Sequence, residues 1–183
     1  DNSIVTNPDA PLPSIESFPP FPYHLFENFP QYNLGFIMSS RGCPYNCIFC
    51  SQRAISAGRY RHFPLAIVLA ELELLIDKYH QRHITFFDDN FVVDRKRAKE
   101  LCWLIYERGL HKKASFDCQT RGDAIDEDII KHLKMANFIS VGIGMETASE
   151  RLMSMLKKGE TVKANIEGVR KLKAAGLSVS GTF

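Results

Sequence analysis

Leu34-Gly35-Phe36-Ile37-Met38-Ser39-Ser40-Arg41-Gly42-Cys43-Pro44-Tyr45-Asn46-Cys47-Ile48-Phe49-Cys50 joins an apolar run to a loop that carries three cysteines. The apolar run predicts a β-strand over residues 34–39, and the cysteines follow it at C-x3-C-x2-C spacing. Three thiolates this close on one loop can hold three irons of a [4Fe–4S] cluster and leave the fourth open, whereas a purely electron-carrying cluster normally takes four cysteines. A disulfide framework fits poorly, because five cysteines are an odd number and these three are crowded. A structural zinc site needs a fourth Cys or His. His62, 12 residues after Cys50, is followed by no second His at ligand spacing. Cys102 and Cys118 sit in apolar runs and read as small buried hydrophobes.

Downstream of this loop the pattern alternates strand and helix. Residues 65–79 place Ile67, Val68, Leu72, Leu75 and Ile76 on one helical face. Strands are expected over 84–88, 114–120, 138–145 and 177–183. Helices are expected over 94–108, with Asp94 as N-cap and Gly109 at its end, and over 126–135, opened by three acidic residues. A short helix capped by Ser149 ends near Lys157-Lys158-Gly159, and another over 162–175 closes at Gly176. Repeated β-α units imply a parallel sheet with right-handed crossovers. A complete (β/α)8 barrel takes about 250 residues, so these 183 predict an incomplete TIM-type barrel of about five parallel βα units.

Residues 1–33 hold seven of the nine prolines and read as a linker lying on the domain through Phe18, Phe21, Tyr23, Leu25 and Phe26. Asp1 at the start and the apolar run at the end suggest a piece of a longer protein, with 34–183 the N-terminal part of a barrel truncated at its C-terminal side. The net charge of +2 gives no nucleic-acid footprint. No apolar run approaches the roughly 20 residues of a membrane span, and no signal peptide is visible. Unpaired cysteines suit a reducing cytoplasm.

The Cys43-x3-Cys47-x2-Cys50 run, with Phe49 before its third cysteine, resembles the signature of radical S-adenosylmethionine (SAM) enzymes, and the likeness covers most of residues 34–183. Ser39-Ser40-Arg41-Gly42-Cys43-Pro44, Arg59-Tyr60-Arg61, Phe86-Phe87-Asp88-Asp89-Asn90-Phe91 and Gly144-Met145-Glu146-Thr147 resemble, within it, the subgroup whose complete chains carry an N-terminal cobalamin-binding domain. The resemblance implies an enzyme core that binds a [4Fe–4S] cluster and reductively cleaves SAM to a 5′-deoxyadenosyl radical, in a cobalamin-dependent methyltransferase or cyclase. It implies a small-molecule substrate, a reductant such as flavodoxin or ferredoxin, cobalamin supplied by a domain outside this chain, and no activity for this piece alone. A methylthiotransferase-type enzyme and a non-catalytic iron–sulfur or zinc domain are the alternatives.

In parallel α/β folds ligands gather at the C-terminal ends of the strands, and the candidates all fall there. Cys43, Cys47 and Cys50 are the expected metal ligands, with Gly42 and Pro44 shaping their loop. By resemblance, Phe49 lies beside the adenine of SAM. Asp88-Asp89-Asn90 stands where many of these enzymes have a Gly-Gly-Glu-like turn that meets the methionine amino group. The sequence does not choose between Asp88 and Asp89, and a solvated turn is the bland alternative. Glu146, after Gly142 and Gly144, suits the ribose hydroxyls. Arg121 suits the SAM carboxylate or an ion pair with Asp123 or Glu146. Lys157-Lys158 reads as a helix C-terminal charge pair.

Overall fold

Alternating burial along the strands makes the sheet two-sided. Ile84, Phe86, Phe116, Cys118, Val141 and Ile143 point to the buried side, and the residues between them point away. The computed structural model describes residues 4–8, 10–11, 13–26 and 32–183. In chain order these form β1 (Phe36–Ile37), β2 (Ser40–Arg41), α1 (Gln52–Ser56), β3 (Arg61–His62), α2 (Leu65–Glu73), β4 (His83–Phe86), α3 (Arg95–Glu107), β5 (Ser115–Thr120), α4 (Glu127–Met135), β6 (Phe138–Gly144), α5 (Glu150–Met155), α6 (Val162–Ala174) and β7 (Ser178–Thr182).

Five strands make one parallel sheet in the order β1-β4-β5-β6-β7. This is the expected α/β architecture, a partial barrel of about five βα units. Helices α2, α3, α4 and α6 pack on the apolar side. The core there is aromatic, with Phe86 5.0 Å from Phe91 and 5.6 Å from Phe138 between ring centroids. Asp94, Asp126 and Ser149 cap α3, α4 and α5 as their sequence positions imply, accepting from the N–H groups of Arg97, Ile129 and Leu152. Gly109 takes φ of 69° just past α3.

The opposite side of the sheet is polar. His83 Nε2 lies 2.6 Å from Asp117 Oδ2, Thr85 Oγ1 donates to the same carboxylate at 3.0 Å, and His83 Nδ1 lies 2.9 Å from Ser115 Oγ.

Several expected boundaries shift. The predicted helix over 65–79 is α-helical to Glu73 and then widens to a π-helical turn, Leu74–Lys78. Ile67, expected in its core face, is 41% exposed, while Leu69 is buried. Strand one is shorter than expected because Ser39 and Ser40 leave the sheet. Ser40–Arg41 pairs antiparallel with Arg61–His62, so the end of Arg59-Tyr60-Arg61 belongs to a two-stranded ribbon. In the N-terminal segment Ile15 and Tyr23 are buried, and Tyr23 donates to Glu71 Oε1 at 2.5 Å. Leu25 is 67% exposed, contrary to its expected packing role. The parts of the expected linker at 1–3, 9, 12 and 27–31 lie outside the described residues.

Helix α6 meets the 3-10 turn Gly122–Ala124 at backbone contact. A Cβ on Gly168 would stand 2.4 Å from the Gly122 carbonyl oxygen. Helix propensity favours Ala over Gly by about 1 kcal/mol, but overpacking against backbone costs about 1–3 kcal/mol. Gly168→Ala is therefore expected to destabilise the protein, read as a lower denaturant midpoint at unchanged m-value. A raised midpoint would show that the helix can shift to relieve the contact.

Candidate functional site

The strand ends dictate where the site lies. A cavity of about 240 Å³ opens at the C-terminal ends of β4–β7 beside the cysteine loop, and seven of the eight expected site residues line it. The exception is Asp88. Its carboxylate turns away and accepts from Ser39 N–H at 2.6 Å, Ser39 Oγ at 2.5 Å and Ser40 N–H at 2.9 Å. Burial pushes its pKa up, and the bonds from Ser39 and Ser40 oppose that rise. Asp88 therefore anchors the root of the loop and does not face the cavity. Asp89 does face it, and accepts from Gly42 N–H at 2.7 Å. Which of the two acids faces the cavity is decided by which one the Ser39-Ser40 backbone captures.

Arg97 completes that root. Its buried guanidinium donates to the Ser39 carbonyl at 2.9 Å and to the Phe63 carbonyl at 2.8 Å. Gly42 is a steric necessity, with φ of 85° and a would-be Cβ 2.1 Å from the Arg59 carbonyl. Of the Arg59-Tyr60-Arg61 stretch, none lines the cavity. Arg61 donates to the Pro13 carbonyl at 2.7 Å.

The three loop thiols are free, Cys50 exposed and Cys43 and Cys47 half-buried. Burial pushes the Cys43 and Cys47 thiols up, and Lys158 and Arg121 pull Cys47 partway back. Among the described residues no three His, Cys, Asp or Glu side chains are drawn together as a metal-holding group. The donor set nevertheless fits a thiolate-bound cluster in kind, with three unpaired sulfurs on one cavity wall. Ligands of such a centre commonly complete their ordering on the metal. Cys102 and Cys118 are buried as expected, and burial pushes the Cys102 thiol up to about 12 and that of Cys118 well above the ordinary range.

The far wall is a buried charged network that spacing did not reveal. Lys158, expected in a helix C-terminal charge pair, has a side chain only 6% exposed. Its ammonium donates to the Gly144 carbonyl, to Glu146 Oε1 at 2.9 Å and to Glu160 Oε1 at 2.7 Å. Positive φ at Lys157 (51°) and Gly159 (75°) turns the chain so that Lys158 points inward. Glu160 has a fully buried side chain. It accepts from Asn165 Nδ2 at 3.2 Å, while its Oε2 has no hydrogen-bond partner among the described residues and lies 3.8 Å from Arg121.

Arg121 pairs with Asp123 through two bonds of 2.9 and 2.6 Å and donates to the Lys158 carbonyl. The expected ion pair to Asp123 is present, and Lys158, not Arg121, partners Glu146. Glu146 itself sits at φ of 59°, a strained region for a residue with a Cβ. The room beside Gly144 serves this pair rather than a ligand, since a Cβ there would stand 2.5 Å from Glu146 Oε1 and 2.8 Å from Lys158 Nζ. Gly142 does line the cavity.

Comparison with known proteins agrees with this arrangement. The Radical SAM superfamily model matches residues 37–183. An uncharacterized methyltransferase of Pyrococcus horikoshii is 33% identical over 98% of this chain and 38% of its own length. An anaerobic magnesium-protoporphyrin IX monomethyl ester cyclase of Cereibacter sphaeroides is 28% identical over 79% of this chain and 24% of its own. The chain thus spans between a quarter and two fifths of the length of these relatives. Among solved structures, the radical SAM methyltransferase TsrM of Kitasatospora setae, with cobalamin and a [4Fe–4S] cluster bound, superposes at TM-score 0.74. That match has 22% identity and covers 81% of this chain and 30% of that one; it shows the shared fold. No helix among the described residues is long and apolar enough to cross a membrane.

Two outcomes follow from this geometry. Lys158→Met leaves Glu146 and Glu160 without their buried cation and should destabilise the protein by about 3–5 kcal/mol. Near-wild-type unfolding of that variant would show that the carboxylates neutralise by protonation instead. In native, metal-free protein a thiol reagent should modify Cys43, Cys47 and Cys50 quickly and Cys102 and Cys118 only after unfolding. Five equally fast thiols would contradict the buried settings of the last two.

Proposed function

The chain belongs to the radical SAM superfamily, and from that premise we propose that Cys43, Cys47 and Cys50 hold a [4Fe–4S] cluster in a cobalamin-dependent methyltransferase or cyclase. The observation that carries the reading is the convergence of three free thiols and four further candidates on one cavity at the strand ends. A cluster bound there would supply the electron that cleaves SAM to methionine and a 5′-deoxyadenosyl radical.

The chain's own residues divide the remaining work. Asp89 faces the cavity with one oxygen held by Gly42, and its carboxylate accepts from the methionine ammonium of SAM. Glu146 keeps Oε1 on Lys158, while Oε2, with no protein partner among the described residues, accepts from ribose hydroxyls. Phe49, 52% exposed on the loop, offers a ring face to the adenine. Arg121 is held by Asp123 and the Lys158 carbonyl through three of its five N–H groups. It is assigned to positioning rather than to the SAM carboxylate.

The polar face of the sheet borders the cavity through Gln119 and Ser180, which gives a small-molecule substrate a place beside the bound nucleoside. Relatives include a magnesium-protoporphyrin cyclase and a hopanoid C-2 methylase of Rhodopseudomonas palustris. Ring closure and methylation at an unactivated carbon are the two reaction types this reading admits. Residues 34–183 serve as the first part of the catalytic barrel. The remaining strands, the cobalamin and a reductant of the flavodoxin or ferredoxin kind come from outside this chain, in a cytoplasmic setting.

Anaerobic reconstitution should give a brown protein with about four irons per chain, lost when any one of Cys43, Cys47 or Cys50 becomes Ala. Stoichiometric zinc, or full iron in a single variant, would overturn the assignment. On reconstituted protein, Glu146→Gln should weaken SAM binding about tenfold with iron content unchanged. Unchanged affinity would remove Glu146 from the nucleoside site.

A further inference from the structure

Tyr45 stands between Cys43 and Cys47 in the loop and is 39% exposed, yet its ring is not loose. The Arg121 guanidinium carbon lies 3.9 Å from the ring centroid, well inside the range over which a cation is attracted to an aromatic face. That guanidinium is fixed from behind. Asp123 grips two of its nitrogens, the Lys158 carbonyl takes a third bond, and only 7% of the side chain is exposed. A loop residue is therefore stacked on a guanidinium held by three hydrogen bonds at the end of β5.

Two backbone tethers flank the stack. Gly42 N–H is held by Asp89, and Ile48 N–H donates to the Leu156 carbonyl at 3.0 Å. The loop is thus fastened before, within and after its first two cysteines. The thiols themselves are not gathered into a metal-holding group. Closing a loop on a metal costs conformational entropy for every residue that must be ordered. A stack that already orders the Cys43–Cys47 stretch removes part of that cost.

We propose that Tyr45 is a positioning residue for the iron–sulfur centre, its ring latched by the Arg121 guanidinium so that Cys43 and Cys47 are held near their ligating positions before the cluster arrives. The inference rests on the cluster assignment above. It adds a role for a loop residue that is not itself a ligand, and it uses the face of the ring and not the hydroxyl.

The test is iron release from anaerobically reconstituted protein challenged with excess EDTA, followed by loss of the cluster absorbance. Tyr45→Ala should release iron roughly tenfold faster than wild type, with the metal-free protein still melting cooperatively and within roughly 2–4 °C of wild type. Tyr45→Phe, which keeps the face, should release at the wild-type rate. Asp123→Asn, which frees the guanidinium, should speed release alone and add little in the Tyr45→Ala background. Wild-type release from Tyr45→Ala overturns the latch. Release from Tyr45→Phe as fast as from Tyr45→Ala overturns it as well, because the hydroxyl would then be the working group. A wild-type protein that takes up no cluster overturns the cluster assignment first and the latch with it, and that result is told apart by the iron content before any chelator is added.

Discussion

Lys158 is the charge on which the site wall depends. A buried ammonium is tolerable only where acceptors replace its water, and here a carbonyl and two carboxylates do so. Because Glu146 follows β6 and Glu160 precedes α6, satisfying one amine joins the end of a strand to the entry of a helix. The strained φ of Glu146 is held by the same contacts, together with its own N–H bonded to the Thr182 carbonyl of β7 at 2.9 Å. Arg121 extends the wall to β5 through the Lys158 carbonyl. The network holds three carboxylates, Asp123, Glu146 and Glu160, against two cations, so the wall tends toward negative charge, which suits a cationic sulfonium ligand.

A second buried centre holds the opposite side. Asp88 and Arg97 take the N–H groups and a carbonyl of Ser39-Ser40 from two directions, one from the end of β4 and one from the first turn of α3. These contacts pull the chain out of the sheet after β1 and send it into the ribbon with β3. The price of that early exit is a two-residue first strand. Its gain is a rigid root for the cysteine loop. Rigid anchors around the ligand-bearing loop are what a metal site needs if binding the metal is to complete the fold.

The partial barrel also explains the sheet's two-sidedness. Helices cover Phe86, Phe116 and Phe138, and that side carries the folding energy. The other side bears His83, Thr85, Asp117 and Gln119, side chains unlike the branched apolar layers that fill an ordinary closed barrel. A polar inner face next to the strand-end cavity leaves room for a ligand rather than a core.

The sequence by itself determined the parallel α/β class, the helix caps at Asp94, Asp126 and Ser149, and the three cysteines. These depend on local periodicity, on bonds spanning three residues, and on a spacing that few chemistries share. It also brought Asp89, Arg121 and Glu146 to the correct strand ends, because parallel sheets gather ligands there. It did not separate Asp88 from Asp89, since neighbouring carboxylates are told apart only by which one meets Ser39, 49 positions earlier. Nor did it find Lys158, Glu160, Arg97 or the stack of Tyr45 on Arg121. Each is a polar or aromatic residue in an unremarkable local pattern whose setting depends on distant partners as well as near ones, as Arg97 is 58 positions from Ser39 and Tyr45 is 76 from Arg121. Burial of charge is decided by what the tertiary fold brings to meet it, and that is information no single stretch of chain contains.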